Sequence, residues 1–183
     1  FILLRYCIFY LIKIWLLYCL LMKFLFFFLF LVLPLHADNH IVVQENFDAW
    51  QFACIEEQSQ KICDLRELVF DPNTNEVVSY LSLSMSPDSI TQMQIAFPHA
   101  VNLKSPIQLQ IDENEPLNLN YAYCNQSACF VAEIIAENFI NLFKAGNELN
   151  VKALLLDGRE VTITFSLSGF TAGYDRLVKE VIG

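Results

Sequence analysis

The sequence is poor in the residues that usually mark a reaction centre. It has five glycines and three histidines in 183 residues, and no G-x-S-x-G, Walker or G-x-G-x-x-G arrangement. Phosphate-cradling loops and strained nucleophile elbows depend on such glycines, so neither is expected. Only His40 and His99 follow residue 37, and neither stands in a motif that would couple a base to a serine or cysteine nucleophile. C-x-x-C is missing, which removes the usual redox arrangement.

Charge of one sign is scarce in each of two parts of the chain. No Asp or Glu occurs before Asp38, and three of the 11 Lys and Arg (Arg5, Lys13, Lys23) fall in that leader. Residues 38–183 therefore carry 8 basic against 20 acidic groups, a net charge of about −12. Nucleic-acid binding needs clustered cations and none cluster here, so a nucleic-acid partner is not expected. Docking on anionic lipid is disfavoured for the same reason. The 146 residues of this part suit one domain with one sizeable core.

What the leader does contain is apolar. Met22 to Ala37 combines a cation at Lys23, a 12-residue apolar run from Phe24 to Leu35, and a small residue before a polar stretch. Those are the parts of a secretory signal, and the run is short for a permanent span. Cleavage after Ala37 is expected, with the domain occupying residues 38–183. Met22 is the first methionine, so residues 1–21 are expected to be translated flanking sequence. The alternative is an uncleaved anchor or membrane hairpin across residues 1–35, which would make this a membrane-anchored envelope protein.

Four cysteines follow the leader: Cys54, Cys63, Cys124 and Cys129. In an exported chain an even number points to disulfides. Three pairings are open, and Cys54–Cys63 with Cys124–Cys129 is favoured because each closes a short loop between neighbouring strands. Zinc would need tighter knuckles and free thiolates, so no metal or other cofactor is expected. A small metal- or thiol-dependent enzyme built on His99 is the lesser alternative.

Hydrophobic alternation marks strands along most of the domain. After a polar start, Asn46 to Ile55 reads as one strand with Trp50 near the core, followed by a polar loop at 56–61. Leu65 to Phe70, Val77 to Met85, Ile90 to Phe97 and Ile107 to Asp112 follow, separated by turns at 71–75 and 86–89. Leu117 to Cys124 and Cys129 to Glu133 read as strands pinned across a tight turn. The acidic turn at 112–116 lacks the oxygen spacing of a calcium loop and reads as solvated. Asp157-Gly158 joins Val151–Leu156 to Arg159–Phe165 as a hairpin. Asn125-Gln126-Ser127 matches a glycosylation acceptor but reads as chance.

Two helices complete the inventory. One lies near 135–144, with Ile135, Phe139, Leu142 and Phe143 as its apolar stripe. The other is C-terminal, 171–181, with Thr171 as candidate N-cap and Tyr174, Leu177, Val178 and Val181 facing the core. About nine strands and two helices predict a mostly β protein, a β-sandwich with helical additions, with a barrel as the other possibility. Tyr80 and Tyr123 are candidates for an exposed interface.

Trp50, Cys54 and Cys63, then Ile111-Asp112, then Cys124 and Ala128-Cys129, then the run Phe165 to Leu177 together resemble the invasion-associated locus B family of bacterial exported proteins. The most specific piece is Ser166-Leu167-Ser168-Gly169-Phe170-Thr171. Trp50, Asp112, Ser166, Leu167, Gly169 and Phe170 are its structural motif positions: Gly169 would permit a sharp turn and Phe170 would staple the helix to the sheet. Ala128 stands where the family usually has Gly, Gly173 where it has Ala, and Pro98-His99-Ala100 is poorer in Gly. The resemblance implies an immunoglobulin-like, disulfide-braced sandwich linked to host-cell invasion or envelope function, with envelope or host proteins as partners. It supplies no catalytic residues.

Overall fold

The computed structural model describes Trp15, Tyr18, residues 40–57 and residues 60–183. The expectations for the leader, including cleavage after Ala37, lie outside the described residues. Asn39–Gly183 forms one unit.

The described residues form eleven strands. They are β1 (His40–Phe47), β2 (Trp50–Glu57), β3 (Gln60–Phe70), β4 (Val77–Met85), β5 (Thr91–Phe97), β6 (Ile107–Ile111), β7 (Leu117–Leu119), β8 (Tyr123–Cys124), β9 (Cys129–Ile135), β10 (Glu148–Leu154) and β11 (Glu160–Ser166). Several of them, such as β3, β4, β6 and β10, alternate more and less buried side chains. Helix α1 (Glu137–Ala145) sits between β9 and β10, and α2 (Phe170–Ile182) ends the chain. The strands form two antiparallel sheets, one ordered β1-β2-β3-β4-β5-β9-β8 and the other β11-β10-β6-β7. The sheets do not close on each other, so the fold is a mostly β sandwich and not a barrel.

The core lies between the sheets, because the side chains of every second residue point there. Phe52, Leu65, Leu81, Leu83, Met93 and Ile95 enter from the larger sheet, and Ile107, Leu109, Leu149, Val151 and Phe165 from the smaller; all are buried. Trp50 sits where the core meets the helices, its ring edge-on to Phe170 at 5.0 Å. Phe170 also lies 5.0 Å from Phe143 of α1 and 5.6 Å from Tyr174 of α2, so one aromatic side chain joins both helices to the larger sheet.

Several expectations need correction. Residues 46–55 are not one strand: Phe47 pairs with Trp50 across a turn at Asp48-Ala49, and Asp48 takes a positive φ of 49°. The period-two pattern runs through that turn, and no Gly announces it. The polar start is β1, whose edge position lets it carry polar side chains. The loop at 56–61 is mostly ladder, with Glu57 opposite Gln60. Leu117 to Cys124 splits between sheets: β7 pairs with β6, whereas β8 pairs with β9. Ile135 belongs to β9, and the buried residues of α1 are Ile140 and Phe143, not Leu142. Thr171 does not cap α2; the N-cap is Gly169, with φ 86° and no side-chain cap.

Candidate functional site

Five of the six motif positions meet where β11 passes into α2. Trp50 Nε1 donates to the carbonyl oxygen of Ser166 at 2.8 Å. The N–H of the same Ser166 donates to Glu67 Oε1 at 3.0 Å. Both main-chain groups of one residue in the smaller sheet are thus held by side chains of the larger. Leu167 is buried and donates its N–H to Asn147 O at 2.8 Å. Gly169 is forced by two constraints together, its positive φ and its neighbours: a Cβ there would lie 2.0 Å from the carbonyl oxygen of Phe47.

Asp112 joins this corner through Asn147. Its carboxylate accepts the N–H groups of Asn147 at 3.0 Å and Glu148 at 3.0 Å, just where the chain leaves α1 to enter β10. The carboxylate therefore serves the local backbone. Glu113 and Glu115, beside it, are exposed.

The four cysteines form two disulfides, Cys54–Cys63 and Cys124–Cys129. Each joins directly opposed residues of a hairpin, with Cα atoms 4.0 Å apart. Cys54 and Cys63 are buried in the core, whereas Cys124 is exposed at the end of the larger sheet. With all four sulfurs paired, no thiolate remains among them for metal or for nucleophilic attack. His99 Nε2 donates to Asn125 O at 2.8 Å, which ties its ring to the turn between β8 and β9. Asn125 Oδ1 accepts the N–H groups of Ser127 at 2.8 Å and Ala128 at 3.0 Å, so the side chain of the glycosylation triplet shapes the same turn. The described residues hold no group of three or more His, Cys, Asp or Glu placed to bind a metal ion.

Glu67 was not singled out from the sequence, although its place in the alternation Cys63, Leu65, Glu67 signals an inward carboxylate. Burial raises its pKa to about 7, opposed by the Ser166 N–H. Its second oxygen has no hydrogen-bond partner. Tyr121, also unmarked, has a buried hydroxyl without a partner, and burial pushes its pKa up to about 12.

On the outer face of the larger sheet, Tyr123 stacks on Phe130 with ring centres 4.9 Å apart. Gln94 Nε2 donates to the Tyr123 hydroxyl at 2.6 Å, and the Tyr80 hydroxyl donates to Gln94 Oε1 at 3.4 Å. Tyr123 is exposed and Tyr80 half-buried. At the other end of the same face, Ile62, Met85, Pro87, Ile90 and Ile134 line a shallow groove. What this surface offers chemically is apolar and hydrogen-bonding contact.

Residues 50–178 match the family model described as Invasion associated locus B (IalB) protein. A curated relative, Invasion protein B of Bartonella bacilliformis, is 24% identical over 138 residues, covering 73% of this chain and 73% of the relative. The crystal structure of invasion associated protein B from Bartonella henselae has a TM-score of 0.68 at 20% identity, covering 75% of this chain and 96% of that one. This last likeness is one of fold.

Proposed function

The chain belongs to the invasion-associated locus B family, and from that premise we propose that it is an exported, non-catalytic domain that contributes to host-cell invasion or envelope function through protein contacts. The observation that carries this reading is the pair of disulfides, since bonds of this kind persist in oxidising spaces outside the cytoplasm. They tie up the four thiols that a thiol- or zinc-dependent chemistry would use. His99 faces a main-chain carbonyl. The secretory pattern of Met22 to Ala37 supports the same destination.

The negative charge of about −12 on residues 38–183 favours protein partners that are basic over nucleic acid or anionic lipid. The test is deletion of the gene in its own bacterium, with fractionation of the wild type alongside. The expected result is protein in the periplasmic or secreted fraction, and a deletion strain impaired in host-cell invasion or envelope integrity. A cytoplasmic protein, or a deletion strain unimpaired in both respects, would contradict the reading.

A further inference from the structure

We propose that the unpaired edge of β9, at Ala132 and Ile134, is a docking site that takes up an extended, basic and apolar segment of a partner protein as an added strand. The proposal deepens the reading above, on which it rests, by naming the surface and the kind of partner.

The edges of the two sheets differ in how far they are blunted. An edge strand presents unpaired N–H and C=O groups, and folds usually blunt them. β1 carries a bulge between Ile41 and Val43, and its Glu45 is held by Arg176 of α2 at 2.8 Å. β7 is three residues long. β11 gives up both main-chain groups of Ser166 to Trp50 and Glu67, and its exposed side chains Thr162 and Thr164 are polar. β9 differs, because β8 covers only Cys129 and Phe130. The Phe130 carbonyl accepts the Ala122 N–H, so the main chain of Phe130 faces the β8 side. Alternation then turns Ala132 and Ile134 to that side, past Tyr123, the first residue of β8, while β5 pairs along the whole of β9.

Exposed apolar side chains and unpaired carboxylates lie beside this edge. Ile134 is 71% exposed, the same as Leu156 and below only Trp15 among the large apolar side chains of the described residues. It lines the groove that also exposes Ile62 and Ile90. An added strand would bury these side chains while pairing the main chain. Charge then selects the occupant. Glu133 and Glu137 flank Ile134, and none of the ion pairs among the described residues uses either. A second copy of this chain would bring like charges together across an antiparallel β9 pair, on domains already strongly negative, which disfavours self-pairing. A segment alternating basic and apolar residues satisfies the edge, the groove and the carboxylates at once.

The experiment uses the disulfide-bonded protein and two synthetic octapeptides, one alternating lysine and valine, the other glutamate and valine. Amide exchange is followed by NMR. The lysine peptide should slow exchange at Ala132 and Ile134 by about tenfold, and the glutamate peptide should not. Ala132→Pro removes one edge N–H that no internal ladder uses, so the variant should fold, shown by an unchanged thermal transition, and lose the peptide effect. Ile134→Lys provides a second folded variant with the same expected loss. No protection at these two amides, equal protection by both peptides, or a wild-type dimer that Ala132→Pro dissolves would overturn the proposal. In bacteria the two readings separate: a deletion defect fully restored by Ala132→Pro sinks the docking edge alone, whereas absence of any deletion defect sinks the broader reading.

Discussion

Trp50 Nε1 and the Ser166 carbonyl oxygen lie 2.8 Å apart, a hydrogen bond that spans 116 residues of chain and joins the first hairpin of the larger sheet to the last strand of the smaller. Because the Trp50 ring also packs edge-on against Phe170, its two interactions can be separated by substitution. Trp50→Phe should keep much of the ring contact and leave a part-buried carbonyl unpaired, costing about 1–2 kcal/mol. Trp50→Ala should cost about 3–5 kcal/mol. Denaturant unfolding of the two variants checks both figures.

Glu67 predicts a pH dependence of the opposite sign to most carboxylates. Its pKa is about 7 in the folded protein against 4.5 as the ordinary value. The native state therefore keeps this proton at a pH where the unfolded chain has lost it. The contribution is fully present below about pH 4.5 and is lost as pH rises through 7, by an amount on the order of 2 kcal/mol once solvent screening of this incompletely buried carboxylate is allowed for. Arg66, next to Glu67 in β3, pairs with Asp64. Glu67→Gln keeps an acceptor for the Ser166 N–H and abolishes the titration. The stability difference between wild type and this variant, measured at pH 5 and pH 8, should move in favour of the variant at the higher pH.

Gly169 and Gly158 share nearly the same φ, 86° and 85°, but a Cβ at Gly158 meets nothing within 4 Å. Gly158→Ala should therefore cost about 1 kcal/mol, the conformational penalty alone. Gly169→Ala adds the collision with the Phe47 carbonyl and should cost several times more, or abolish folding. Thermal unfolding of the pair isolates steric contact from backbone preference.

The two disulfides should differ in weight. Replacing Cys54 and Cys63 by Ser places two hydroxyls at buried positions as well as opening a loop, whereas Cys124 is exposed. The loop-closure part is about 2–3 kcal/mol for either bond in the chain-entropy model. The Cys54/Cys63 double variant should be the less stable of the two, as read from urea midpoints.

The alternation of Val77 to Met85 matches β4 residue for residue, and the cysteine pairing was legible because each pair flanks a short polar segment between strands. The sandwich follows from the same alternation. What periodicity could not reveal was a change of partner: Leu117 to Cys124 keeps its period of two while the chain passes from one sheet to the other. Nor could it place the start of α1, where Ile135 satisfies a helical stripe and a strand equally well. In the motif corner, Trp50 and Gly169 could be flagged from the resemblance. Glu67 could not, because its role depends on Ser166, 99 residues away, which local sequence does not bring near.

Exposure to an oxidising space underlies the account, and it is tested most directly on protein taken from its own bacterium with thiols trapped at lysis. Non-reducing peptide mapping should then recover Cys54 joined to Cys63 and Cys124 joined to Cys129, in protein from an extracytoplasmic fraction. Four trapped free thiols in cytoplasmic protein would contradict it.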